Sequence, residues 1–229
     1  MIIDYQHPAY QMKHRAMWRG QYNGAYYYSK EIRELLIPKI KTDRNWVTIN
    51  IPGFGSDHSI VFVHNNLATD HYDWLSKYKD LVLVCGVPET ASKVAHLGKT
   101  IYLPLPIDKA NVAQYIVEKD KEVCYAGRGR KFIGKKVEGD PLCDLPREEL
   151  LKKMAHYKKV YAVGRTAIEA KILGAIILPF DPRFPNVDMW KALPYEGAVK
   201  LLQRALDDIE AGADHIDCTK YDFYESLLV

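Results

Sequence analysis

Two glycine turns carry the residues of this chain best suited to holding an anion. Gly127-Arg128 follows the apolar run Val123 to Ala126 and opens a basic loop that reaches Gly139. From Lys121 to Lys136 there are six lysines or arginines against one acid, Glu122. Arg128 offers a planar fork to a diphosphate, and Lys131 and Lys135 add point charges; the same composition also suits a solvated surface loop. The second turn, Gly164-Arg165, lies inside VYAVGRTAIEAKILGAIILPF, Val160 to Phe180. This stretch reads as strand, turn, helix, strand. Thr166 stands at the expected N-cap with Glu169 three residues on, the spacing of a capping box, and Gly174 closes the helix as a C′ glycine. A helix fed by a buried strand presents unpaired N–H groups and its positive dipole end, to which Arg165 adds a cation. Arg128, Arg165 and Thr166, with the cations of the basic loop, are therefore the expected phosphate-binding set. Glu169 is suited either to capping with Thr166 or, as an acceptor-only carboxylate, to a vicinal diol.

A second group is suited to proton transfer. His64 ends the apolar run Ser59 to Val63, and an imidazole there has the range for acid–base work, although a lone histidine also serves as a structural hydrogen-bonder. Asp57 and His58, in the glycine-rich loop before that run, form the next acid–base candidate. Asn23-Gly24 is a turn that opens a helix and is a candidate substrate contact. The segment before it (Tyr10, Lys13, His14, Arg15, Trp18, Arg19, Tyr22), with Tyr26 to Tyr28, mixes aromatic and basic residues that can stack on bases, sugars or headgroups. Asp207-Asp208 lies on the polar side of a helix and does not form a metal motif.

The elements needed to position these residues alternate along the chain. Short strands are expected at Ile2 to Asp4, Trp46 to Ile51, Ser59 to Val63, Leu81 to Cys85 and Thr100 to Leu103. Helices are expected over about 25–41 (interrupted by Pro38), 69–78 and 88–97. Pro104, Pro106 and Asp108 break the pattern. A second alternation follows: helix 109–118, strand 123–126, helix 146–157, the unit at 160–180, a proline-rich loop at 181–194 and a helix over 195–210. That last helix has Ala198, Leu201, Leu202, Ala205, Leu206 and Ile209 on one stripe. This predicts an α/β protein of two Rossmann-like domains with parallel sheets, residues 1–106 and 107–229, and a ligand cleft between them.

Composition is that of an ordinary globular protein, with 48% apolar and 27% charged residues and a net charge of +3. The charge is too mild to imply nucleic acid by itself. No apolar run approaches the roughly 20 residues that span a bilayer, and the N-terminus lacks the pattern of a secretory signal. Cys85, Cys124, Cys143 and Cys218 form no C-x-x-C pair, so a cytoplasmic protein without disulfides or zinc is expected. No G-x-G-x-x-G follows the first strand.

Three segments carry a family resemblance. KTIYLPLPIDKANV (Lys99 to Val112) resembles the interdomain stretch of the two-domain GT-B glycosyltransferases, in particular the large retaining family that contains glycogen and sucrose synthases. VCYAGRGRKFIGKK (Val123 to Lys136) is similar to the strand-Gly-Arg segment of that family, whose Arg and a following Lys hold the donor diphosphate. RTAIEAKILGAIILP (Arg165 to Pro179) is similar to its helix whose Glu binds the nucleotide ribose. Two positions depart from the pattern: Tyr161 stands where the first of two paired glutamates falls, and the lysine after Arg128 is displaced to Lys131 or Lys135. The resemblance implies a metal-independent transferase with a nucleoside-diphosphate sugar donor, a UDP-sugar favoured, and no further cofactor. It places Arg128, Lys131, Lys135, Arg165, Thr166 and Glu169 on the donor, Asn23 and Gly24 near substrate, and His64, Asp57 and Arg128 in catalysis. The acceptor is left open among glycan, lipid-linked, protein and DNA-base classes. The alternatives are a glycosyltransferase that modifies DNA and a non-catalytic GT-B-like module that binds a nucleotide or a protein.

Overall fold

SIVFV and LVLVC are five-residue runs with no polar side, the pattern of parallel strands covered on both faces. The computed structural model describes residues 1–11, 24–49, 51–63, 69–184 and 186–228. It divides into two units, Met1–Pro106 with Leu193–Val229, and Ile107–Ala192. The first unit begins with β1 (Ile2–Ile3), α1 (Gly24–Glu31), β2 (Asn45–Val47), β3 (Ser59–Val63), β4 (Leu81–Cys85), α2 (Pro88–Val94) and β5 (Lys99–Tyr102). After β6 (Pro106–Ile107) the second unit runs through α3 (Lys109–Ala113), β7 (Lys121–Gly127), β8 (Asp140–Cys143), α4 (Arg147–Met154), β9 (Tyr157–Tyr161), α5 (Arg165–Ile172) and β10 (Ile176–Leu178). The chain then returns through β11 (Leu193–Pro194) to add α6 (Tyr195–Glu210) and β12 (His215–Asp217) to the first unit.

The first unit is built on a six-stranded parallel sheet ordered β1-β2-β3-β4-β5-β12. Alternation along each strand sends side chains to both faces. Val61 and Val63 join Val47, Leu81, Leu83 and Cys85 in a core closed by Tyr72 and Leu75 of a 3-10 segment and by Ala91 and Val94 of α2. Phe62 instead stacks on Trp46 and meets Tyr28 of α1, each at 6.2 Å between ring centres.

The stripe expected on α6 is buried as read, but its partner differs from the expectation. Of the stretch 107–229 expected as one domain, residues from Leu193 onward belong to the first unit. Tyr195 donates to Glu31 of α1, the Gln203 side chain bonds the Lys41 backbone at both N and O, and Arg44 Nε meets Glu210 at 2.8 Å. β12 then pairs with β5. A helical period reveals an apolar face and says nothing of which sheet covers it.

Smaller differences have local causes. The helix expected over 25–41 leaves α geometry at Ile32, runs as a π turn to Leu36 and ends in a 3-10 turn holding Pro38, which has no N–H to donate. The helix expected over 69–78 is the 3-10 segment Thr69–Lys77. The one expected over 109–118 stops at Ala113, with Asp108 capping its start. Tyr157, read as a helix end, begins β9, where its hydroxyl donates to Asp140. β8 was not expected; its Pro141 is tolerated because β8 lies at the edge of its sheet. Among the described residues no helix is long and apolar enough to cross a membrane.

In the second unit the sheet is ordered β10-β9-β7-β8 and every pairing is parallel. From β7 the chain moves to β8 on one side, and from β9 it moves to β10 on the other. That reversal is a topological switch point, and it opens a crevice at the carboxyl ends of β7 and β9.

Candidate functional site

Both glycine turns lie at that crevice. Gly127 ends β7 with φ +127°, a conformation that suits glycine, and a Cβ built on it would sit 3.7 Å from Thr166 Oγ1. The turn after β7 and the helix after β9 are thus brought side by side, 39 positions apart in sequence. Gly164, at φ +64°, is itself the N-cap of α5, and no side chain caps the helix. The first intrahelical bond runs from the Ile168 N–H to Gly164 O at 3.2 Å. The N–H groups of Arg165, Thr166 and Ala167 therefore belong to the orphan first turn, where the helix favours negative charge.

Glu169 takes a role that differs from both expectations. Thr166 lies inside the helix rather than at its cap, so the capping box does not form. The carboxylate is buried, and its Oε1 accepts from Arg147 Nε at 3.0 Å and from Arg165 Nε at 2.9 Å. The arginine side chains are 12% and 13% exposed. Two guanidiniums outcompete the backbone N–H for the same acid because they bring full charge. Glu169 thereby fixes the placement of two cations at the crevice. Arg147 escaped the sequence reading; it is the first residue of α4, and the signal for it was the Pro146-Arg147 helix start that follows the unrecognised β8.

The basic loop is held by its backbone. Asp144, just past β8 at φ +57°, donates its N–H to Gly127 O (2.8 Å) and accepts the Gly129 N–H on Oδ2 (3.1 Å). A Cβ on Gly129 would meet that carboxylate at 2.8 Å, so only glycine fits without a shift. The Lys131 N–H donates to Arg128 O, closing a 3-10 turn that follows Arg128. Arg128, Lys131, Lys135, Arg165 and Thr166 are all partly exposed. Past β10, buried Asp181 pairs with Arg183 at 2.6 Å. The hydrogen bond from Arg183, with a smaller contribution from Lys135, holds the Asp181 carboxyl below its usual range.

Other expected residues lie elsewhere. Asp57 precedes β3, at the amino end of its strand, whereas ligand crevices form at carboxyl ends. Its Oδ1 accepts the Lys79 N–H at 2.7 Å, and the expected Asp57–His58 pair is not formed. His58 instead bonds Asp80 through Nδ1 (2.5 Å) and Asp43 through Nε2 (3.1 Å). His64 and Asn23 lie outside the described residues, and Gly24 is the first residue of α1. Asp207 and Asp208 accept from Gln203, and from Arg204 and Tyr221. Among the described residues no group of three acidic, histidine or cysteine side chains forms a metal site. All four cysteines are free, and burial pushes the Cys85 and Cys124 thiols up to about 12. A groove of about 430 Å³ between α2 and the β5–β12 edge of the first unit, lined by Thr100, Tyr102, His215 and Lys220 among others, holds none of the residues singled out above.

At the switch point the uncapped N-terminus of α5 lies beside the Gly127-Arg128 turn, and a buried acid holds Arg165 on its first turn, an arrangement suited to an anion. No protein-family model, curated protein or solved structure matches the chain.

Proposed function

We propose that the switch-point crevice of the second unit holds the diphosphate of a nucleoside-diphosphate sugar and that the chain is a GT-B-type glycosyltransferase. The observation that carries this reading is the convergence of Gly127-Arg128 and Arg165-Thr166, at 3.7 Å between the Gly127 Cβ position and Thr166 Oγ1. In this reading the α5 N–H groups, Thr166, Arg128 and Arg165 bind the diphosphate, with Lys131 and Lys135 adding charge. On that reading these groups offset the charge that builds up as the diphosphate departs, which is where electrostatic catalysis has its largest effect. A UDP-sugar remains the favoured donor on the sequence resemblance.

A thermal-shift screen of UDP, GDP, ADP, CDP and dTDP and their common sugars, with and without magnesium, tests it. A ligand at a hundred times its dissociation constant adds roughly 2.7 kcal/mol of apparent stability. Stabilisation by one nucleotide family, lost in Arg128→Ala, is the expected result. No shift with any nucleotide, or an Arg128→Ala variant with full affinity and turnover, would remove the assignment.

A second reading is a nucleotide-binding module without turnover. It is favoured by Glu169, which is buried against two arginines, and by Tyr161 at the position of the first family glutamate. Nucleotide binding without sugar release from any bound donor would select this second reading.

A further inference from the structure

The loop between β7 and β8 sets an apolar residue at its tip. Ile133 is 79% exposed, the most exposed large apolar side chain among the described residues. It occupies the first corner of a β-turn closed by the Lys135 N–H on Phe132 O at 3.0 Å. Gly134 follows at φ +70° while Ile133 keeps negative φ, the geometry of a type II turn. The turn stands on a fixed base: Phe132 is buried, its ring stacked on Phe180 at 4.6 Å and tilted against Tyr125 at 5.0 Å. The apolar tip is therefore held outward.

The loop that carries it is basic. Between Gly127 and Gly139 the sequence carries Arg128, Arg130, Lys131, Lys135 and Lys136, with Glu138 the one acid. A surface built for phosphates alone has no use for an exposed isoleucine, and one built for an apolar protein groove has no use for five cations. A lipid surface uses both: anionic headgroups draw the lysines, and the boundary just beneath accepts the aliphatic side chain.

We propose that this loop docks the second unit on an anionic membrane surface, with Ile133 as the inserted residue and Lys136 among the headgroup contacts. Ile133 and Lys136 lie outside the proposed diphosphate site, while Arg128, Lys131 and Lys135 of the same loop are assigned to it, so variants of Ile133 and Lys136 probe the membrane contact without touching the nucleotide site.

Flotation of the full chain with phosphatidylcholine vesicles, and with vesicles carrying 30% phosphatidylglycerol, tests it. Binding to the anionic vesicles alone is expected, weakening as salt is raised from 0.1 to 0.5 M. Ile133→Asp is expected to lower the partition coefficient about tenfold, and Lys136→Gln about fivefold. Both variants should melt with the wild type, because Ile133 is surrounded by solvent. Equal partition of wild type and Ile133→Asp, or no preference for anionic vesicles, would overturn the proposal. Binding to duplex DNA but not to vesicles would overturn it as well, and would assign the loop to nucleic acid.

Discussion

Arg147 Nε and Arg165 Nε donate to the same oxygen of Glu169, at 3.0 and 2.9 Å. One arginine arrives on α4 and the other on α5, so a single buried acid ties together the helices that follow β8 and β9.

Removing that acid leaves two nearly buried guanidiniums without their shared counter-charge. Glu169→Ala is expected to lower stability by about 3–5 kcal/mol, the usual effect of breaking a buried ion pair. Arg147→Met is expected to lower it by only about 1–2 kcal/mol, because Glu169 keeps Arg165. Urea denaturation of both variants gives the order, and a larger loss for Arg147→Met would show that Glu169 is not the hub.

Three glycines rank by what a methyl group would meet. Gly139→Ala combines φ +105° with a Cβ 2.3 Å from Val123 O, so β7 or the loop must move. Gly127→Ala has the strained φ of +127° but only an ordinary 3.7 Å contact, a penalty of about 1–3 kcal/mol. Gly134→Ala, at φ +70° with nothing within 4 Å, should be mildest. Melting temperatures are expected to fall in the order 134, 127, 139. Gly127→Ala should in addition weaken nucleotide binding out of proportion to its stability, as read by titration calorimetry.

Stability is expected to depend on pH through His58. Hydrogen bonds to Asp80 and then Asp43 raise its pKa above the ordinary imidazole value, and the same histidine lowers both acids. The histidine contribution is fully present below the ordinary imidazole range and is lost as pH climbs through the raised folded value. The acids' contribution is present above the ordinary carboxylate range and is lost as pH falls through their depressed values. The melting-temperature gap between wild type and His58→Gln should be widest just below the ordinary imidazole range and close as pH climbs through the raised folded value. A gap that widens with alkali would contradict the geometry.

Arg44 joins the end of α6 to the start of β4. Its buried guanidinium reaches Glu210 at 2.8 Å and the Asp80 side chain and carbonyl at 3.1 and 3.0 Å. Both acids are half-exposed, so Arg44→Met is expected to lower stability by about 1–2 kcal/mol rather than the full value for a buried pair. Hydrogen exchange should show faster opening in 195–210 than in 121–178, because the lost contacts belong to the first unit.

The unit at 160–178 was legible in the sequence because each of its signals is local. The apolar run at Val160 marks the strand, although β9 begins earlier, at Tyr157, and ends at Tyr161; a glycine gives the turn, and Gly174, at φ +80°, closes α5. The α6 stripe was legible for the same reason. β8 was not, since Asp140-Pro-Leu-Cys has one deeply buried apolar residue, Leu142, and a proline, and with β8 went Arg147. The capping role passed from Thr166 to Gly164 because a glycine at positive φ can start a helix without a side-chain bond, which residue types alone do not disclose. His58 turned from its neighbour to Asp80, 22 positions away, a partner that only the fold supplies.

The second unit is inserted into the first, between β5 and α6. A ribosome therefore delivers all of Ile107–Ala192 while β5 still has one bare edge, since its partner β12 follows the inserted unit in the chain. At roughly 5–20 residues per second that interval lasts on the order of ten seconds. For that time the nascent sheet offers neighbouring chains a row of unpaired backbone groups, and a chain interrupted before Leu193 is expected to aggregate rather than accumulate in folded form.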